Sequence, residues 1–198
     1  MRFLRTKLRE LKEYNEVAEI GEIARRYFAM NAFDGVLTII GVLMGNLSAR
    51  VTNASVVITT GLSTSVAMGI SGLWGAYLTE SAERKRSLDE LENHTLTDLS
   101  QTRIGRASRV AVVVVAVVDG LAPFMASLLV LLPMMFSLYM GGTIQAYYVS
   151  LGLALATLFA LGAYLGTISK TNLVLAGVKM LLAGLFAIGL SHVLGDVG

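Results

Sequence analysis

Hydrophobic positions in this chain do not alternate with polar ones; they come in blocks. Apolar stretches lie near Tyr27–Leu47, Val51–Leu78, Val110–Met140, Ala146–Thr167 and Leu173–Leu194, separated by short polar segments. Each is long enough for a helix that crosses a bilayer core, which takes roughly 20 residues. A sheet exposed to lipid would have to close into a barrel, and these runs lack strict alternation. The pattern predicts an all-α membrane protein with five transmembrane helices. The second and third stretches are over-long and are expected to tilt, kink or project beyond the bilayer. Pro123 and Pro133 make kinks the expectation in the third, because proline removes an i to i−4 hydrogen bond.

The polar remainder divides the chain into a segment 1–26 and a transmembrane domain 27–198. Residues 1–26 set Phe3, Leu4, Leu8, Leu11, Val17 and Ile20 among charged positions. That predicts an amphipathic helix, either lying on the inner leaflet or docked on the rest of the protein. The loop 79–108 is polar and is expected to begin as a continuation of the second span. Fourteen of the 16 lysines and arginines fall before the first span, between the second and third, or at Lys170 between the fourth and fifth. Positive charge stays on the cytoplasmic side, so the N-terminus is expected in the cytoplasm and the C-terminus outside.

Composition sharpens this picture. Of 198 residues, 55% are hydrophobic and only 15% charged, with a mean hydropathy of +0.67. Soluble domains carry about a quarter charged residues, so an integral membrane protein is expected. No cysteine is present, which excludes disulfides, thiolate metal sites and cysteine nucleophiles. No signal peptide precedes the first span, and the absence of targeting segments points to a prokaryotic plasma membrane. The histidines, His94 and His192, fall on opposite sides of the expected bilayer, and neither a phosphate loop nor an HExxH motif occurs. The chain is therefore not read as an enzyme, and nothing points to nucleic acid.

Two acids stand out. Asp34 and Asp119 each sit inside an apolar span and are each followed by glycine. They lie eight residues past Arg26 and ten past Arg109. At about 1.5 Å of rise per residue, these are depths of roughly 12 and 15 Å. An intramembrane acid costs at least a few kcal/mol and is a functional candidate by default. The competing explanation is a structural bridge to Lys179, which enters the fifth span from the cytoplasmic side. Two acids and one lysine still leave a negative charge uncompensated, which suits a bound cation or a proton. The neighbours fit a cation: Thr38, Gly41 and Gly45 follow Asp34 on one stripe, and Thr60, Thr64, Met68, Ser71, Gly72 and Gly75 line a face of the second span. Carboxylates suit manganese or magnesium, and a thioether tilts the choice toward softer transition metals. Close helix packing is the other reading of such small-residue stripes. Glu80, Glu83, Ser87, Glu90 and His94 share a helical face in the loop, either as metal ligands or as a solvated charged surface.

With these residues assembled, the chain resembles the vacuolar iron transporter family. "FDGVLTIIGVLMG" is similar to that family's first span, "GISGLWGAYLTESAERKR" to the end of its second, and "AYLGTISKTNLVLAGVKMLLAGLFAIGLSHVLG" to its last connection and fifth span. The resemblance implies a homodimer exporting ferrous iron or manganese from the cytoplasm in exchange for protons. Metal is then substrate, with no permanently bound cofactor. Its metal path would use Asp34 and a second-span methionine, here Met68. The family's second-span glutamate is Thr60 in one register and Thr64 in another, with Gly72 then at the methionine position. Asp119 could replace the missing charge. The loop of about 30 residues is too short for the three-helix metal-binding domain many members insert there. Two rivals remain: a non-transporting scaffold built on an Asp–Lys bridge, and a passive cation channel.

Overall fold

Five helices account for most of the computed structural model, which describes residues 20–195: α1 (Ile20–Ser48), α2 (Ala54–Thr95), α3 (Arg103–Met135), α4 (Thr143–Ile168) and α5 (Leu173–Gly195). Each is long and apolar enough to cross a membrane, and no strand occurs among the described residues. Their ends are written in local chemistry. The Asn53 side chain accepts the Ser55 amide at the start of α2, and Asn172 accepts those of Val174 and Leu175 at the start of α5. Such caps satisfy amides that a helix start leaves without partners. α1 and α4 close on Arg50 and Lys170, both at φ 54°, with the next amide reaching back to Asn46 and Gly166 respectively. The left-handed turn absorbs the last carbonyls, and a cation there suits the negative end of the helix.

Boundaries differ from the sequence expectation in instructive ways. Ile20–Arg26 form the opening turns of α1, and residues 1–19 of the expected amphipathic helix lie outside the described residues. α2 runs unbroken through the second span to Thr95, so the Glu80–His94 stripe belongs to that helix. α3 begins at Arg103 rather than Val110 and stops at Met135 rather than Met140. Past Pro133, which cannot donate to the Leu129 carbonyl, amides reach back only three residues, from Phe136 to Pro133 and from Ser137 to Met134. Gly141 and Gly142, at φ 83° and 123°, then turn the chain into α4.

The described residues fall into two compact units, one of residues 20–28 with Ile70–Leu121, the other of Ala29–Gly69 with residues 122–195. The second holds the hydrophobic core. Val36, Ile39, Ile40 and Leu43 of α1, Val57 of α2, Val130, Leu131 and Met134 of α3, and Tyr147 and Leu158 of α4 are fully buried in it. In lipid this core is held by close packing more than by exclusion of water. The Tyr147 hydroxyl donates to the Val51 carbonyl at 3.0 Å, so even its polar tip is satisfied. α4 and α5 meet almost backbone to backbone: a Cβ on Gly162 would lie 2.5 Å from the Ala176 carbonyl oxygen.

The first unit packs with smaller side chains, burying Ala76 from α2 and Ala107, Ala111, Val112, Val115 and Ala116 from α3. The turn joining α2 to α3 is tied by polar bonds. Glu92 accepts the Leu99 amide at 2.7 Å, and Arg109 donates to the Ser100 carbonyl at 3.0 Å.

Candidate functional site

Asp34 occupies the side of α1 that the core does not use. The buried positions Ala32, Val36, Ile39 and Ile40 set the inward face, and Asp34 falls outside it and is exposed. Its neighbour Gly35 faces α3 so closely that a Cβ would lie 2.6 Å from the Pro123 carbonyl oxygen and 2.7 Å from its Cα. The Ser127 hydroxyl sits at the crossing, 2.6 Å from the Pro123 carbonyl oxygen and 3.3 Å from that of Gly35. Asp34 is thereby mounted beside a rigid helix contact, with Thr38 donating to its main-chain carbonyl at 2.8 Å.

Other sequence-derived candidates of the same unit lie on α2. Thr60 is exposed, while Thr64 and Met68 are half-buried. Thr60 donates to the Val56 and Val57 carbonyls and Thr64 to that of Thr60. Each hydroxyl thus spends its proton on its own helix and keeps lone pairs for another partner. Lys179 is exposed on α5, and among the described residues no ion pair joins it to Asp34. A cavity of about 630 Å³ at the far end of α1 is lined by Gly41, Gly45, Ser48, Arg50, Ser191 and Gly195, none of them a candidate ligand.

In the other unit Asp119 is only 7% exposed. α2 passes directly over it: a Cβ at Gly72 would lie 2.9 Å from the Asp119 carbonyl oxygen and 3.3 Å from its carboxylate Oδ2. Gly72 therefore serves to admit the Asp119 backbone. Toward the charged end of the unit, the Tyr27 hydroxyl donates to Glu80 Oε1 at 3.2 Å, and Arg84 Nε donates to Glu80 Oε2 at 3.0 Å. Sequence reasoning misses Tyr27, because a tyrosine near the end of a span reads as an interfacial anchor.

The remaining loop candidates are spread along α2. Glu83, Ser87, Glu90 and His94 are all exposed, and among the described residues no group of three or more acidic, histidine or cysteine side chains is placed to hold a metal ion. Just beyond them, hydrogen bonds from Ser100 hold the Asp98 carboxyl below the usual carboxylate range.

A sequence model of the VIT family matches residues 26–103, which takes in Asp34, Met68, Gly72 and Glu80. An uncharacterized protein of the archaeon Methanocaldococcus jannaschii is 32% identical over 173 residues, covering 86% of this chain and 87% of its own length. With five helices fit to span a bilayer and this likeness over most of its length, the chain belongs to the VIT family of vacuolar iron transporters, membrane proteins that move metal ions.

Proposed function

We propose that this protein exports a divalent transition metal, ferrous iron or manganese, from the cytoplasm in exchange for protons, as a homodimer in a prokaryotic plasma membrane. The observation that carries the reading is the state of Asp34. It is a carboxylate exposed on the outer face of a helix otherwise fit for hydrocarbon, and no cationic side chain among the described residues pairs with it. A charge in that position costs a few kcal/mol unless something positive meets it. A transported cation does so, and a second protomer covering the same face of α1 removes the carboxylate from lipid. Hard carboxylate oxygen, the threonine lone pairs of α2 and the Met68 thioether together suit manganese or ferrous iron better than magnesium.

In this mechanism a metal ion and a proton compete for the same carboxylate. The cation binds from the cytoplasmic side as Asp34 gives up its proton, and it leaves on the other side as the acid is protonated again. Asp119, buried where Asp34 is exposed, is the acid that stands in for the second-span glutamate charge that the resemblance expects and that this chain replaces with Thr60 or Thr64. Glu83, Glu90 and His94 collect metal weakly along α2, as exposed side chains in high dielectric would, and the half-buried Glu80 is the first acid beyond them.

The scaffold alternative needs Lys179 bridged to an aspartate, and its exposure without an ion pair to Asp34 weighs against that. The channel alternative is separated by asking whether a proton gradient drives flux. The decisive experiment is Mn²⁺ flux into proteoliposomes carrying a pH-sensitive dye. Asp34→Asn is expected to abolish both metal movement and proton counterflow without lowering the melting temperature. Unchanged flux in that variant defeats the proposal.

A further inference from the structure

Asp119 is nearly sealed, so any ion that reaches it needs an opening in the unit that surrounds it. Two contacts in that unit bear on which part moves. The first joins α2 to α3 at Gly72, where the Asp119 backbone and carboxylate lie against a residue with no side chain. Nothing there can swing aside, so parting these helices means displacing one of them whole. The second joins α1 to α2 through the Tyr27 hydroxyl and Glu80 Oε1, 3.2 Å apart and 53 residues apart in sequence. It is made by two long side chains, each able to change rotamer while its helix stays in place. The Glu80 and Arg84 side chains are 13% and 15% exposed, so the bond lies at the edge of the unit where solvent reaches.

From this contrast we propose that Tyr27 and Glu80 form a latch that closes the Arg84-bearing end of the unit over Asp119. The proposal rests on the transport reading above, in which that end is cytoplasmic. The carboxylate divides its oxygens between two helices: Oε1 accepts from Tyr27 on α1, while Oε2 accepts from Arg84 on its own helix. Arg84 therefore sets the direction of Glu80, and Tyr27 is what it holds. A divalent cation arriving from the cytoplasm competes for the same two oxygens. Binding the ion turns Glu80 away from Tyr27 and frees α1 from α2 at that end. The latch thus opens in response to the cargo, and it closes again once the ion has passed, because both donors stay in place.

The chain has no native cysteine, which makes the test direct. Ala76 lies on α2 between Gly72 and Glu80 and is 7% exposed. A single cysteine there, Ala76→Cys, is labelled with a membrane-impermeant maleimide added from the cytoplasmic side of inside-out vesicles. Removing the latch with Tyr27→Phe is expected to raise the labelling rate about tenfold, the equivalent of one hydrogen bond to a charged group. Glu80→Ala should give a similar rise, and the double variant no further one, because both break a single interaction. Mn²⁺ added to the otherwise unaltered Ala76→Cys protein should raise it as well. A reporter at Ser65→Cys, buried in the other unit, is expected to stay unlabelled throughout. An unchanged rate at position 76, additive effects of the two variants, or equal labelling at position 65 each overturns the latch. Labelling does not depend on flux: if Mn²⁺ leaves labelling at position 76 unchanged, the cargo-opened latch fails, whereas if Tyr27→Phe and Mn²⁺ both raise labelling while Mn²⁺ does not cross the membrane, the transport reading is what fails.

Discussion

The two units set an aspartate in opposite surroundings. In the larger one, with its hydrophobic core, Asp34 lies outside the packing and only its neighbour Gly35 is gripped. In the smaller one Asp119 is itself inside, against Gly72, with Tyr27, Glu80 and Arg84 forming a hydrogen-bonded group on the charged side. Both stretches read Asp-Gly in an apolar run. The difference teaches that an exposed acid is positioned by the backbone beneath it, whereas a buried one is positioned by what packs over it.

The largest effects should come from the glycines. Gly35→Val forces a side chain into the Pro123 backbone and is expected to cost about 3 kcal/mol or to prevent folding. Gly72→Val, with slightly more room at Asp119, should cost less. Gly152→Val, where a Cβ would meet nothing within 4 Å, should change stability by no more than about 0.5 kcal/mol. Thermal melts in detergent rank the three, and an inverted order would break the comparison.

Next come the acids themselves. Asp119→Leu leaves hydrogen-bonding or charged partners behind in a closed space and should destabilise by about 1–3 kcal/mol. Asp34→Leu replaces an exposed charge with an apolar side chain in a lipid-facing setting and should leave the melting temperature unchanged or higher. If both substitutions cost the same, the two environments are not distinct in the way described.

Smaller still is Lys179→Met, expected to shift stability by less than about 0.5 kcal/mol because the side chain is exposed and not paired with Asp34. A loss of several kcal/mol would restore the scaffold reading. The slightest effect is one of pH. Ser100 holds the Asp98 carboxyl below its ordinary value, so the folded connection gains support above that ordinary value and loses it as pH falls through the lowered one. Amide-exchange protection at Ser100, corrected for its intrinsic pH dependence, should therefore fall in acid for the native chain and stay flat in Asp98→Ala.

Much of the fold is legible in the amino-acid sequence. Apolar block length announces five helices, and Asn53, Asn172 and the glycines at 141 and 142 mark their ends by simple capping and turn chemistry. The end of α3 is not legible in the same way, because hydropathy continues smoothly through Phe136–Met140, whereas the amides past Met135 reach back three residues instead of four. Of the candidate residues, Asp34 and Asp119 are legible because charge in an apolar run is conspicuous. Tyr27 is not, since its partner Glu80 is 53 residues away and no local spacing connects them.

What the linear chain determined by itself is the solvent it belongs in, the number of its helices and the presence of two acids where water is scarce. These follow from side-chain transfer energies and backbone hydrogen bonding, which depend only on composition and local order. Tertiary structure alone decided which acid is covered and which is bare, and it gave Glu80 a partner on another helix. Those outcomes depend on which faces meet, and a helix turned by one residue, about 100°, presents a different set of side chains to its neighbours.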